Sequence, residues 1–112
     1  MTLQQLSYFL AAVEHGSFSA AAEALYIAQP SLSEQVKRLE NELGVTLFVR
    51  TNRRLVLTEA GQLFLPSAQR AVAAAGEAAE SVRAIRTLTG GTVAFGTFST
   101  AQHLLLTDLI AE

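Results

Sequence analysis

The chain has 112 residues, half of them apolar, and no cysteine. That allows one small domain with an appendage and excludes a disulfide framework, a thiolate metal site and a cysteine nucleophile. Lys and Arg number 8 against 10 Asp and Glu, a net charge of −2, which argues mildly against a nucleic-acid binder in bulk and makes the position of each cation decisive.

Leu3, Leu6, Phe9, Leu10 and Val13 recur at helical spacing, so residues 3–15 read as an amphipathic helix stopped by Gly16. Ser19 can cap a second short helix that runs through Leu25 or Tyr26, and Ala20, Ala21, Ala22 and Ala24 suit one that packs closely. After a break at 27–29, a third helix extends to about Leu43. Its stripe Leu32, Val36, Leu39, Leu43 is spaced 4, 3, 4, and Gly44 ends it. Its start has two readings. Pro30 in the first turn puts the cap at Ala28, a poor capping residue. The box Ser31-Leu32-Ser33-Glu34 would move the start two or three residues later. The earlier start is favoured.

Residues 46–50 and 54–57 are rich in β-branched and apolar side chains around Thr51-Asn52-Arg53, which fits a hairpin. Thr58 then caps a long helix over Glu59 to about Leu88. Its seam Phe64, Ala68, Ala71, Ala75, Ala78, Val82, Ile85 is spaced 4, 3, 4, 3, 4, 3, a heptad pattern. A small domain cannot bury a stripe on a helix about 45 Å long, so the seam implies a partner helix, and its alanines allow close approach. Pro66, inside the helix, should kink it or leave a local defect. Thr89-Gly90-Gly91 breaks the pattern. Val93, Phe95 and Phe98 suggest a strand, and Ser99 or Thr100 could cap a last helix over 101–111. One strand and one helix form no sheet core, so this βα unit reads as the start of a second domain. The expected division is 1–58, 59–89 and 90–112.

Two short helices, a tight turn and a basic hairpin are the parts of a winged helix-turn-helix, which presents one helix to the DNA major groove. The expected fold is mainly α: three helices, a two-stranded wing, a long linker helix and an orphan βα unit. Three of the eight cations, Arg50, Arg53 and Arg54, fall within five residues, and Lys37 and Arg38 precede them. So small a footprint calls for two copies side by side. The stripe on the third helix leaves Gln29, Ser33, Glu34, Lys37 and, at the edge, Arg38 facing outward. Gln29 can pair with adenine, and Ser33 is permissive. At the hairpin tip Arg53 suits a minor groove, while Arg54 and Thr51 suit phosphates. Arg50 suits a phosphate equally well as an ion pair with Glu42 or Glu40. Ser99 and Thr100 stand where a helix N-terminus could hold an anion, or serve as a plain cap. Neither His15 nor His103 has a second ligand at metal spacing, so no metal or cofactor is expected. No nucleophile, base and orienting group recur together, so no catalysis is expected. A basic start with an apolar run is missing at the N-terminus, and no run approaches the roughly 18 residues of a membrane span, which suggests a cytoplasmic protein. The rival to DNA binding is a dimerising protein-interaction module, favoured by the low net basicity.

Residues 1–89 resemble the N-terminal part of LysR-type transcriptional regulators. The resemblance is carried by Leu3 through Phe9, Ser17-Phe18, Ala21-Ala22-Glu23-Ala24-Leu25, Gln29-Pro30, Leu32-Ser33, Leu39-Glu40, Glu42-Leu43-Gly44, Leu47-Phe48, Arg50, Arg53-Arg54 and Leu57-Thr58-Glu59-Ala60-Gly61. It implies a homodimer paired through the linker helices, often a tetramer, and a C-terminal domain controlled by a small-molecule effector. It places Gln29, Pro30, Ser31 and Ser33 among groove and phosphate contacts, and Ser99 and Thr100 against the effector pocket of the intact protein. The chain departs from the family pattern at Glu34, where relatives often carry arginine, and at Ala28, where they often carry serine. Glu34 could accept from a cytosine amino group or face water beside Lys37.

Overall fold

The computed structural model describes residues 1–51 and 54–89, with side chains through 86. Asn52, Arg53, the expected strand and helix beyond Gly91, and Ser99 and Thr100 lie outside the described residues. Residues 1–73 form one compact unit and a second begins at Ala74.

Helix α1 (Leu3–His15) opens on a reciprocal cap. The Thr2 hydroxyl accepts from the Gln5 amide at 3.0 Å, and the Gln5 side chain accepts from the Thr2 amide at 3.1 Å. Gly16 ends it in the left-handed region, φ 78°, returning its N–H to Ala12. Helix α2 (Phe18–Leu25) begins earlier than the sequence suggested. Its cap is Ser17, not Ser19, and the Ser17 hydroxyl accepts from the Ala20 amide at 3.0 Å. The earlier start makes Phe18 the first helical residue and buries its ring, whereas Ser19 stays in solvent. Tyr26 closes α2 at φ 60° with 95% of its surface exposed. A left-handed backbone costs a non-glycine residue about 1 kcal/mol, so α2 and the turn after it are held by packing rather than by local preference. Helix α3 (Gln29–Leu43) takes the earlier of its two starts, with Pro30 in the first turn and no side-chain cap from Ala28. Leu32, Val36 and Leu39 are buried and Leu43 half-buried, as the 4, 3, 4 stripe requires.

Strands β1 (Phe48–Thr51) and β2 (Arg54–Leu57) pair antiparallel, Phe48 opposite Leu57 and Thr51 opposite Arg54. The Leu55 amide donates to the Gly16 carbonyl at 3.1 Å, which fastens the wing to the end of α1. On the other side the Glu40 carboxylate of α3 accepts from the Leu47 and Phe48 amides at 2.7 and 3.3 Å. The residue therefore acts as a backbone clamp.

Helix α4 (Glu59–Ser81) starts at Thr58. The Thr58 hydroxyl accepts from the Gly61 amide at 3.0 Å and donates to the Thr46 carbonyl at 2.7 Å. Its backbone amide donates to the Leu47 carbonyl at 3.0 Å. Gly61 is the close point between α4 and the wing. A Cβ there would collide with the Leu47 carbonyl oxygen and come within 2.8 Å of Leu57 Cδ2. The helix continues through Pro66 and breaks at Val82 before α5 (Arg83–Thr89). The cause is local. The Ser81 hydroxyl donates to the Ala78 carbonyl at 2.7 Å, the acceptor that Val82 would use in a regular helix. The Val82 amide turns to Ala79 at 3.4 Å.

The core has two clusters. One joins Ala12, Phe18, Ala21, Leu32 and Val36, and the other joins Leu6, Phe9, Leu39, Leu47 and Ala68. Phe48 packs against both. Phe64, Ala71 and their neighbours Leu65 and Val72 lie against the second cluster, and Ala68 is 2% exposed within it. The expected seam is thus corrected at Ala68, which the chain's own core covers, whereas Phe64 and Ala71 lie half-buried against the same cluster.

Gly61→Ala should lower unfolding free energy by about 1–3 kcal/mol, since the added methyl overpacks against backbone. Urea denaturation checks it, and an unchanged midpoint would reject the close approach. Glu40→Ala should cost about 1–3 kcal/mol by leaving the Leu47 amide unsatisfied. Glu40→Gln, which keeps an acceptor, should recover much of that loss in the same measurement.

Candidate nucleic-acid interface

Packing decides which face of α3 is offered. With Leu32, Val36 and Leu39 inward, Gln29, Pro30, Ser31, Glu34, Lys37 and Arg38 are exposed and Ser33 is half-exposed. Ser33 turns its hydroxyl back onto the Gln29 and Pro30 carbonyls at 3.2 and 3.3 Å. It can still accept a bond, and reaches a partner as a donor only by rotating.

Pro30, Ser33, Glu34, Lys37, Arg38 and Asn41 form one wall of an open groove, and Arg50 of β1 stands across it. Three cations (Lys37, Arg38 and Arg50) face one carboxylate (Glu34), leaving two positive charges in a groove of a chain whose net charge is −2. Local placement thus reverses the bulk sign. Asn41 was not singled out by sequence, although Pro30, Glu34, Lys37 and Asn41 run at spacing 4, 3, 4 and mirror the buried stripe.

Glu34 and Arg38 form an i,i+4 ion pair, Oε2 to Nη2 at 3.0 Å, with 59% and 63% of their side chains exposed. Such a pair contributes only about 0.3–0.5 kcal/mol. Neither sequence alternative for Glu34 named this partner.

Arg50 does not take the ion pair offered by its sequence neighbourhood. Glu40 is occupied by backbone amides, and Glu42 accepts from the N-terminal ammonium. The Arg50 guanidinium lies over the Phe18 ring instead, 4.8 Å from its centroid. Stacking of this kind orients the planar fork while leaving its edge donors available. Phe18 in turn meets Phe48 edge-on at 5.8 Å, so the cation rests on the core. Its role as a platform lacked a sequence signal, because Phe18 is sequentially remote from Arg50.

A second groove adjoins the first, lined by Ser17, Phe18, Ser19, Arg50, Arg54 and Leu55. Arg50 belongs to both, and Arg54 joins it from β2. Thr51 is exposed at the end of β1, opposite Arg54. Gln5 and Gln35 form the support that sequence reading missed. Gln5, 8% exposed, donates to Gln35 Oε1 at 3.1 Å while holding the α1 cap, and so ties α3 to α1. Ala75 of the linker seam is half-buried, and Ala78, Val82 and Ile85 are exposed. Among the described residues no cluster of three or more His, Cys, Asp or Glu is arranged to hold a metal, and no helix is long and apolar enough to cross a membrane.

The arrangement matches known proteins. The family profile described as bacterial regulatory helix-turn-helix protein, lysR family, matches residues 3–62. A protein of Gracilaria tenuistipitata var. liui named "Probable RuBisCO transcriptional regulator" is 38% identical over 109 residues, 97% of this chain and 35% of the relative. The regulator CfxR of Cupriavidus necator is 38% identical over 103 residues, 92% of this chain and 32% of the relative. The chain spans about a third of the length of these relatives. A crystal structure of the CbnR DNA-binding domain in complex with DNA superposes with a TM-score of 0.71 at 41% identity, covering 76% of this chain and 98% of that one. The architecture of three helices, a two-stranded wing and a long following helix is that of these winged-helix domains, and the chain belongs to the LysR family of bacterial helix-turn-helix regulatory proteins.

Proposed function

We propose that this chain binds double-stranded DNA with sequence specificity, as the DNA-reading and dimerising part of a transcriptional regulator. The observation that carries the reading is the groove beside α3, where Lys37, Arg38 and Arg50 face a single carboxylate in an otherwise acidic chain. In this reading Gln29, Ser33 and Glu34 face base edges, with Pro30 and Ser31 at the entry of α3. Lys37, Arg38, Arg50, Thr51 and Arg54 meet phosphates, and Arg53 enters a minor groove. Two copies pair through the linker helix at Ala75, Ala78, Val82 and Ile85, and pairs assemble further into tetramers. The intact protein then carries a C-terminal domain, begun at residues 90–112, in which Ser99 and Thr100 meet a small-molecule effector. It acts in the cytoplasm, without catalysis and without a metal or cofactor.

Fluorescence anisotropy on a randomised duplex pool at low and then moderate salt, with sequencing of the bound fraction, tests this. Phosphate contacts make the affinity fall steeply with salt, and a symmetric dimer enriches paired half-sites. A folded, dimeric chain that fails to bind at low salt would instead support the protein-interaction module.

Arg53→Ala should weaken binding several-fold and lower the salt slope by about one, with the unfolding midpoint unchanged. Wild-type affinity in that variant would remove the wing contact. Ala75→Glu should shift the dimer towards monomer at low protein concentration, because a charge is forced into a close backbone approach. An unaltered sedimentation mass would reject the shortened seam.

A further inference from the structure

We infer that Glu34 reads a base: its carboxylate accepts a hydrogen bond from the exocyclic amino group of a cytosine, with Arg38 paired to its other oxygen. The inference deepens the proposed DNA-binding function and rests on it.

Helix α3 carries three carboxylates with different employment. Glu40 is spent on the Leu47 and Phe48 amides, and Glu42 on the N-terminal ammonium. Glu34 alone lines the groove. Its Oε2 takes one bond from Arg38, and among the described residues its Oε1 takes none. An exposed pair one turn apart on a helix does little for stability, so folding does not explain an acid at this place.

Electrostatics narrows what it can meet. Glu34 is the sixth residue of α3, in the N-terminal part of a helix that a helix-turn-helix aims at base edges. A carboxylate is repelled by every phosphate, so among cations that suit the backbone it subtracts from unspecific affinity. In the major groove only two groups donate to it, the amino groups of cytosine and adenine. Adenine sets its N7 acceptor beside that amino group, and N7 repels a second acceptor. Cytosine sets only a C–H there. The carboxylate therefore prefers cytosine. Arg38, one turn along, biases the Glu34 rotamer and offsets its charge, which eases the approach to DNA.

The test uses the full 112-residue chain in selection from a random duplex pool, comparing wild type, Glu34→Ala and Glu34→Gln. Wild type should enrich cytosine at one position per half-site, by about five- to tenfold over other bases. Glu34→Ala should lose preference at that position alone and bind the unselected pool several-fold more tightly, having lost a like charge. Glu34→Gln should move the preference to adenine, which glutamine pairs through both amide atoms. Because Glu34 is exposed, circular dichroism should find all three chains equally folded. Identical base preferences in wild type and Glu34→Ala would overturn the inference while leaving the DNA-binding reading intact. Failure of the wild type to bind would overturn both.

Discussion

Four phenylalanine rings hold the molecule's working parts in one relation. Phe64 of α4 meets Phe9 of α1 edge-on at 5.2 Å, Phe9 meets Phe48 of β1 at 5.3 Å, and Phe48 meets Phe18 of α2 at 5.8 Å. Each contact contributes about 0.5–1.5 kcal/mol beyond the area it buries, but the more important consequence is positional. The row runs from the linker helix through the core to the platform on which Arg50 rests. Wing and α2 cannot shift independently, because Phe48 belongs to both core clusters. The groove beside α3 inherits this rigidity: Arg50 on one wall is stacked on the core, and α3 on the other is clamped through Gln35 and Glu40.

Charge in this chain is organised by occupation rather than by number. A count of acids and bases gives −2 and points away from nucleic acid. Yet Glu40 and Glu42, which lie among the cations in sequence, are removed from the groove by specific partners: two backbone amides and the N-terminal ammonium. The cations near them are left to face solvent, and a local positive field results. An acid that satisfies a buried amide does two things at once, stabilising the turn into β1 and clearing the surface.

Periodicity made the three helices and their inward faces legible, because 4, 3, 4 stripes and glycine stops are short-range signals. Leu32, Val36 and Leu39 needed no structure to be placed, and neither did the outward face of α3. What sequence reading misjudged depends on choices between equivalent neighbours or on partners far along the chain. Ser17 and Ser19 are equal as caps, and the burial of Phe18 decides between them. The break at Val82, where the Ser81 hydroxyl competes for a backbone acceptor, had no sequence signal as plain as Pro66. The heptad spacing assigned Ala68 to a partner with the rest of the seam, since spacing alone cannot tell a position buried at home from one buried elsewhere. Arg50 over Phe18, 32 positions apart in sequence, had no local signature at all.

The start of α3 shows where local stability has been left low. Ala28 offers no side-chain acceptor, at a cost of about 1 kcal/mol against serine or aspartate, and Tyr26 holds a left-handed backbone just before it. Nothing in the surrounding fold compensates through a cap; Ser31 and Leu32 simply donate back to the Ala28 carbonyl at 3.1 and 3.3 Å. An uncapped helix start retains its positive end for an external anion. A serine at 28 would put its own oxygen there. In the proposed complex a backbone phosphate is that anion, so the helix end is completed on binding. The same segment carries Gln29, Pro30 and Ser31 into solvent. The helix start that no side chain caps is thus the one that the proposed duplex would complete.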